Sequence, residues 1–131
     1  VETGFYKVNQ KPGKPLYFGL KGDVSIFGLP GNPAAALTCF YIYVLAAIRL
    51  KMGFSMPFLE KKQFIIAHDQ IKKGSRAHFL KAKQANGFVS VNHRQSSAML
   101  SSFIDANCLV YLPSEDQRIA KGSAVDTFIL P

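Results

Sequence analysis

The sequence has 131 residues, which is enough for one ordinary domain or two small ones. Because 48% of the residues are hydrophobic and phenylalanine occurs 11 times, the composition excludes a disordered chain. Sixteen Lys and Arg against eight Asp and Glu give a formal net charge of +8, which favours anionic partners such as oxyanions, phosphorylated small molecules or nucleic acid. The basic residues occur singly or in pairs, so the sequence lacks the contiguous basic run typical of non-specific nucleic-acid binding.

The first predicted elements are two strands separated by a loop. Residues 4–10 read as a strand, and Pro12-Gly13 indicates a turn within the loop 11–19. Residues 23–29 are apolar and β-prone, as expected for a strand buried on both faces of a parallel sheet. The chain opens without an initiator methionine and inside a predicted strand, so we expect it to be a fragment of a longer protein.

A helix is predicted directly after the second strand. Asn32 is a favoured N-cap, Pro33 a favoured first helical residue, and Gly53 a plausible C-cap. The stretch 24–48 has no charged residue, but the Pro-Gly-Asn-Pro sequence divides it into a strand and a helix of about four to five turns. We therefore expect neither piece to cross a bilayer alone.

The hydrophobic period changes to two after residue 56, which predicts a second domain. We assign residues 1–56 to an α/β unit and residues 57–131 to a small β-barrel. A helical turn is predicted over 96–106. Five short strands are predicted at 62–68, 76–84, 87–93, 107–113 and 124–130.

The cysteines and histidines predict no metal site. Cys39 and Cys108 both lie in apolar stretches, without a CxxC spacing, and are expected to be small buried hydrophobes in a reducing compartment. His68, His78 and His93 fall on separate predicted strands, without the spacing of metal ligands.

Two loops could together bind an anion. The helix that begins at Asn32 presents unpaired N–H groups, and Gly31 lets a ligand approach the backbone. Lys11 and Lys14 lie in a proline-stiffened loop. If both loops follow strands of one parallel sheet, they emerge at the same edge, where ligands of α/β sheets bind. The alternatives are an exposed basic turn and a well-capped helix start with nothing bound.

Three motifs in order resemble one enzyme family. KPGKP (11–15), FGLPGNP (27–33) and MLSS…AN.L..LP (99–113) resemble the C-terminal portion of molybdopterin molybdenumtransferases, which include the E domain of gephyrin. The resemblance implies that 1–56 is the tail of an α/β substrate-binding domain and that 57–131 is the family's C-terminal β-domain. It also implies a cytoplasmic homodimer that works in molybdenum cofactor biosynthesis.

The family's reaction is the Mg²⁺-dependent insertion of molybdate into adenylylated molybdopterin. The resemblance places the magnesium and pterin ligands upstream of residue 1, so the isolated chain is not expected to turn over, and it identifies no catalytic residue here. It implies no nucleic-acid or membrane partner.

The same resemblance implies molybdate ligands in this chain. Lys11, Lys14 and Pro15 are the counterparts in the first loop. Arg76 and Ser96 or Ser97 are those in the β-domain, and Arg94 lies just upstream of the serines. Together with Gly31 and Asn32 they supply the lysine, arginine, hydroxyl and backbone N–H donors that a tetrahedral dianion needs. Ala35 stands where the family usually has serine.

Two other functions fit parts of the sequence. One is a non-catalytic peptide-docking or protein-docking module of the gephyrin E type, which would not need Lys11 and Lys14. The other is nucleic-acid binding through Phe79, Lys81 and Lys83, which alternate along one predicted strand face.

Overall fold

The computed structural model describes residues 1–92, 95, 100–115 and 118–131. The chain begins with four strands, β1 (Glu2–Tyr6), β2 (Gln10–Lys11), β3 (Tyr17–Lys21) and β4 (Val24–Gly28). Strands β1, β3 and β4 form an antiparallel sheet in that order. The expected parallel sheet is therefore wrong.

The reason is a hairpin that the sequence analysis missed. The prolines break regular structure only as far as residue 16, and the β-prone residues that follow pair with β4. Lys21 lies opposite Val24, so Gly22 and Asp23 form a two-residue turn, and Gly22 has a φ of 59°.

The predicted helix is confirmed. It consists of α1 (Pro33–Cys39), a π-helical turn (Phe40–Val44) and α2 (Leu45–Lys51). Asn32 is the N-cap, and Gly53, with a φ of 88°, ends the helix as predicted. These 19 residues are long and apolar enough to cross a membrane by length and composition alone, so the expectation that this piece is too short is wrong. Several residues of α1 are nevertheless buried against the rest of the protein.

The second half of the chain forms a closed barrel, as predicted. Each of the five predicted strands is present, with two short ones, β6 (Gln70–Ile71) and β10 (Arg118–Ile119), paired beside them. The strands of the ring are β5 (Lys61–Ile66), β7 (Ala77–Ala85), β8 (Phe88–Val91), β9 (Cys108–Leu112) and β11 (Ala124–Ile129). The ring runs β7-β8-β5-β11-β9 and closes because β9 also pairs with β7.

Apolar side chains from alternate strand positions fill the barrel interior. Ile66, Leu80, Val89, Val110 and Val125 are among the buried residues of this core. A two-residue turn at Asn86-Gly87 joins β7 to β8, with φ values of 53° and 83°. A 3-10 helix over Leu100–Phe103 falls within the predicted helical turn.

Several contacts between the segment that carries the helix and the barrel position the site, of which a strand pair and a ring contact are the first. Strand β2 pairs in parallel with the start of β7, where Lys11 lies opposite His78. The ring of Tyr41 on the helix lies 6.3 Å from that of Phe103. As a result, the loop after β2 lies beside the residues that precede β7.

Candidate functional site

A cleft of ≈ 780 Å³ lies where the loop after β2, the start of the helix and the residue before β7 meet. We call it the cationic cleft. Its lining residues are Lys11, Pro12, Gly13, Lys14, Pro15, Pro30, Gly31, Asn32, Ala35, Arg76 and Gln95. Six of the predicted anion ligands are thus brought together, namely Lys11, Lys14, Pro15, Gly31, Asn32 and Arg76. Ser96 and Ser97, as well as Arg94, lie outside the described residues.

The loop that carries the two lysines packs tightly on the helix. Val8 and Leu16 both donate backbone hydrogen bonds of 2.9 Å to the carbonyl oxygen of Lys14. Gly13 has a φ of 98°, and a Cβ there would overlap the sulfur of Cys39. Only glycine allows both this backbone conformation and this close approach.

Gln10 is a positioning residue that the sequence analysis missed. Its side chain is buried, and Nε2 donates to the carbonyl oxygen of Pro12 at 2.9 Å and to the sulfur of Cys39 at 3.7 Å. The hydroxyl of Tyr43, in the π-helical turn, donates to Oε1 of Gln10. Gln10 therefore ties the lysine loop to the helix, but a single glutamine at a strand start gives no sequence signal for this role.

The start of the helix lines the cleft with Gly31, Asn32 and Ala35. The carbonyl of Asn32 accepts the first helical hydrogen bond from Ala36 at 2.9 Å, and the Asn32 side chain makes no capping hydrogen bond. A Cβ placed on Gly31 would meet no atom within 4 Å, so there is room for a ligand beside this glycine.

Arg76 enters the cleft from the barrel side. Its Nη1 donates to the carbonyl oxygen of Gln10 at 3.5 Å. The residues before it are held by Lys72, which is 1% exposed and whose Nζ donates to the carbonyl oxygens of Gly74, Arg76 and Ser114 at 2.8, 3.3 and 3.2 Å. Lys72 was not among the predicted site residues, since nothing in the sequence distinguishes it from the exposed Lys73.

His78 lies beside these cations, in surroundings that favour its neutral form and lower its pKa. Burial lowers the pKa of its imidazole, and the positive charges of Lys11, Lys72 and Arg76 lower it further, against a small opposing effect of a backbone hydrogen bond with Lys73. Within the described residues, its buried Nε2 has no hydrogen-bond partner. The positive charge lining the cleft therefore comes from lysine and arginine and not from histidine.

The described lining of the cleft contains three cations and no carboxylate, which suits an anion. Across the described residues, no group of three or more His, Cys, Asp or Glu could hold a metal ion. The prediction that Cys39 and Cys108 are buried is confirmed, and burial raises the pKa of each thiol to about 11. What the arrangement offers is charge and hydrogen-bond donors, without a nucleophile among its described residues.

The strand face suggested for nucleic-acid binding is not available. Phe79 is 8% exposed and packs on Tyr111 and Phe128, with ring centroids 5.3 and 6.1 Å away. Lys81 is 2% exposed and lies over the ring of Phe103. Of the three residues proposed for that face, only Lys83 is exposed.

The fold and the site define a class of protein in which a closed five-stranded barrel joins an α/β unit, with a cationic cleft where the two meet. Residues 65–130 match the family described as the MoeA C-terminal region (domain IV). The match covers about half of the chain, and the chain belongs to this family. The family resemblance inferred from the sequence motifs is thus confirmed.

Curated relatives carry the corresponding names. The chain is 35% identical over 130 residues to the molybdenum cofactor synthesis protein cinnamon of Drosophila melanogaster. This alignment covers 91% of the chain and 21% of the relative. It is 30% identical over 135 residues to a molybdopterin molybdenumtransferase of Haemophilus influenzae, covering 95% of this chain and 32% of the relative. The chain thus spans a third or less of these relatives.

Solved structures agree with the fold. A molybdopterin biosynthesis moeA protein from Pyrococcus horikoshii superposes with a TM-score of 0.84 at 25% identity, covering 98% of this chain and 33% of that one. A molybdenum cofactor biosynthesis protein from Pyrococcus furiosus gives the same TM-score at 22% identity, covering 98% of this chain and 46% of that one, and this likeness supports the fold alone.

Proposed function

We propose that the cationic cleft binds molybdate and that the chain serves molybdenum cofactor biosynthesis. The observation that carries the proposal is the convergence of Lys11, Lys14 and Arg76 on a helix start whose glycine faces open space. These three residues come from two separate segments of sequence, and the helix start from a third. The names of the relatives supply the process, since they refer to molybdenum cofactor synthesis and to molybdopterin.

The physical basis is electrostatic. A tetrahedral dianion gains charge-assisted hydrogen bonds from lysine and arginine, and the partial positive charge at the helix start adds to them. Fixed donors stabilise anionic charge without reorganising, and a bound oxyanion reacts at a high effective concentration with a neighbouring substrate. The cleft would therefore act by holding and orienting molybdate.

For a complete protein of the relatives' length, we propose the family's full reaction, the insertion of molybdate into adenylylated molybdopterin. The cleft residues described here do not fit Mg²⁺, which prefers oxygen ligands, because they include no carboxylate. We assign the Mg²⁺ and pterin ligands to the part of the relatives that this chain does not span. Ser96 and Ser97 remain proposed molybdate ligands.

The proposal extends to organisation and location. We propose a cytoplasmic homodimer without nucleic-acid or membrane partners, in which residues 1–56 and 57–131 belong to two domains. The position of the helix within 33–51 and of the barrel strands within 61–129 supports that division. The pairing of β2 with β7 means that the first segment also adds a strand to the barrel sheet.

Isothermal titration of molybdate into this chain tests the proposal. We expect saturable binding that is lost in the Lys11→Ala/Lys14→Ala double variant. The matched control is Lys21→Ala/Lys121→Ala, which removes the same charge from two exposed positions outside the cleft and should keep the binding. Absence of binding in the unmodified chain, or equal loss in both double variants, would contradict the proposal.

A further inference from the structure

We propose that Lys72 is a positioning residue for anion binding, acting through Arg76 from outside the cleft. The inference rests on the proposed function of the cationic cleft. Lys72 does not line the cleft, whereas Arg76 does. The question is why a lysine ammonium should be buried one short loop away from an anion site.

The hydrogen bonds of Lys72 are fully used within the protein. An ammonium group has three N–H donors, and Nζ of Lys72 has three carbonyl partners, on Gly74, Arg76 and Ser114. No donor is left for an anion, so Lys72 cannot be a direct ligand. Its three partners lie in the loop between β6 and β7, just before β7, and in the turn after β9.

These bonds determine where Arg76 lies. Among the described residues, the side chain of Arg76 has one long hydrogen bond, from Nη1 to the carbonyl oxygen of Gln10 at 3.5 Å, which by itself constrains the guanidinium little. The backbone of Arg76 is held from two sides, since its carbonyl oxygen accepts from Nζ of Lys72 at 3.3 Å and the next amide, Ala77, donates to the carbonyl oxygen of Asn9 at 3.1 Å. Lys72 thus fixes the base from which the guanidinium reaches the cleft.

A buried ammonium also suits this task better than an uncharged donor. A lysine that is 1% exposed has lost its hydration, so three carbonyl dipoles must replace it, and the loop is held by the requirement to satisfy the charge. The ammonium group of the neighbouring Lys73 is exposed and keeps its hydration. The pair therefore offers a matched comparison at adjacent positions.

The test is a thermodynamic cycle on molybdate affinity, measured by isothermal titration. Lys72→Met and Lys73→Met each remove one positive charge, and each is combined with Arg76→Ala. We expect Lys72→Met to weaken binding about tenfold or more, the loss expected when one charge-assisted hydrogen bond to the anion is impaired. Lys73→Met should change the affinity less than threefold. In the Arg76→Ala background, Lys72→Met should have no further effect.

The cycle separates positioning from two other roles. If Lys72 acted through its charge alone, Lys73→Met would weaken binding to a similar degree. If it merely held the fold together, Lys72→Met would lower the affinity equally with and without Arg76. Either result would overturn the proposal. Should Lys72→Met fail to fold, Lys72→Arg replaces it, because the planar guanidinium keeps the charge but does not place three donors at one point.

Amide hydrogen exchange tests the positioning without any ligand. We expect Lys72→Met, and not Lys73→Met, to accelerate exchange at Ala77 while leaving Val110 in the barrel core unchanged. If the unmodified chain binds no molybdate, the proposed function fails, and this measurement alone decides the role of Lys72. Equal exchange at Ala77 in the two variants would then overturn it.

Discussion

The barrel interior and the cationic cleft are built on opposite principles. The interior is apolar and closed by the continuous pairing of five strands, and its residues repeat at every second position. The cleft is open and lined by three cations, and its described residues come from four separate segments. Its geometry depends on a few side-chain hydrogen bonds to backbone carbonyls, such as those of Gln10 and Lys72.

Because of this difference, we expect the barrel interior to determine mainly stability and the cleft to determine mainly binding. Burial of apolar surface in the barrel stabilises the fold wherever the pattern is kept, and none of the described residues of this core lines the cleft. The cleft adds little apolar burial, but each of its donors must be held in place. Substitutions in the barrel should therefore change stability with binding intact, and substitutions around the cleft should change binding first.

The largest effect is expected from a cavity in the barrel. Ile66→Ala removes a side chain that is 2% exposed and should lower the free energy of unfolding by about 3 kcal/mol. Ile104→Ala, at 81% exposure, is the control and should change it by less than about 0.5 kcal/mol. Urea unfolding measures both. If folded Ile66→Ala bound molybdate more weakly, the barrel core would affect binding as well as stability, contrary to this prediction.

An intermediate effect is expected from Gln10→Met. The variant keeps the size of the side chain but leaves the Tyr43 hydroxyl and the Pro12 carbonyl without their partner, which should cost about 2 kcal/mol of stability. Molybdate binding should weaken as well, because the lysine loop loses its tie to the helix. Gln63→Met, at an exposed barrel position, serves as control. Unfolding and titration curves that match this control would refute the role of Gln10.

Two glycines distinguish the regions at a smaller scale. Gly87→Ala forces alanine to adopt a φ of 83° and should cost about 1 kcal/mol of stability without affecting molybdate binding. Gly31→Ala has no such backbone strain and no neighbour within 4 Å, so stability should be kept. Its methyl group would instead stand at the helix start and weaken binding. If Gly31→Ala lowered stability and left molybdate binding intact, or if Gly87→Ala weakened the binding, the proposed site would be contradicted.

The smallest effect is a dependence of stability on pH. The pKa of folded His78 lies below its ordinary value of 6.5, so the unfolded chain takes up this proton first as the pH falls. The free energy of unfolding should therefore decrease as the pH drops through 6.5 and level off below the folded pKa. Urea unfolding between about pH 7.5 and about pH 5 measures this dependence. The free energy of unfolding should change less with pH in His78→Gln than in the control His68→Gln, at an exposed position. Identical profiles would show that His78 is not a neutral buried group.

Local patterns were enough to predict most elements of this chain. The five barrel strands follow from a period of two between turn residues, and Asn86-Gly87 marks a hairpin by itself. Pro33 begins the helix and Gly53 ends it, because the backbone preferences of proline and glycine are local. Strand β3 was missed because two prolines and a glycine just before it led us to extend the loop too far.

The lysine loop and the helix start lie together as expected, but not for the expected reason. The sequence analysis placed the lysine loop and the helix start together at the edge of a parallel sheet, whereas the sheet is antiparallel. The two segments meet because Gly13 packs on Cys39, and Arg76 joins them because β2 pairs with β7. Such contacts link residues far apart in sequence, and no periodic pattern records them.

The sequence by itself determined most of the elements, the barrel class, the burial of both cysteines and the family, because each depends on residue type at short spacing. Only the tertiary structure decided which sheet the first strands form and which of two adjacent lysines is buried. It also decided that Gln10 and Lys72 donate hydrogen bonds to the backbone of the segments that carry the cleft residues. Whether a lysine meets water or three carbonyl oxygens depends on how distant segments pack, and that is settled only when the chain folds.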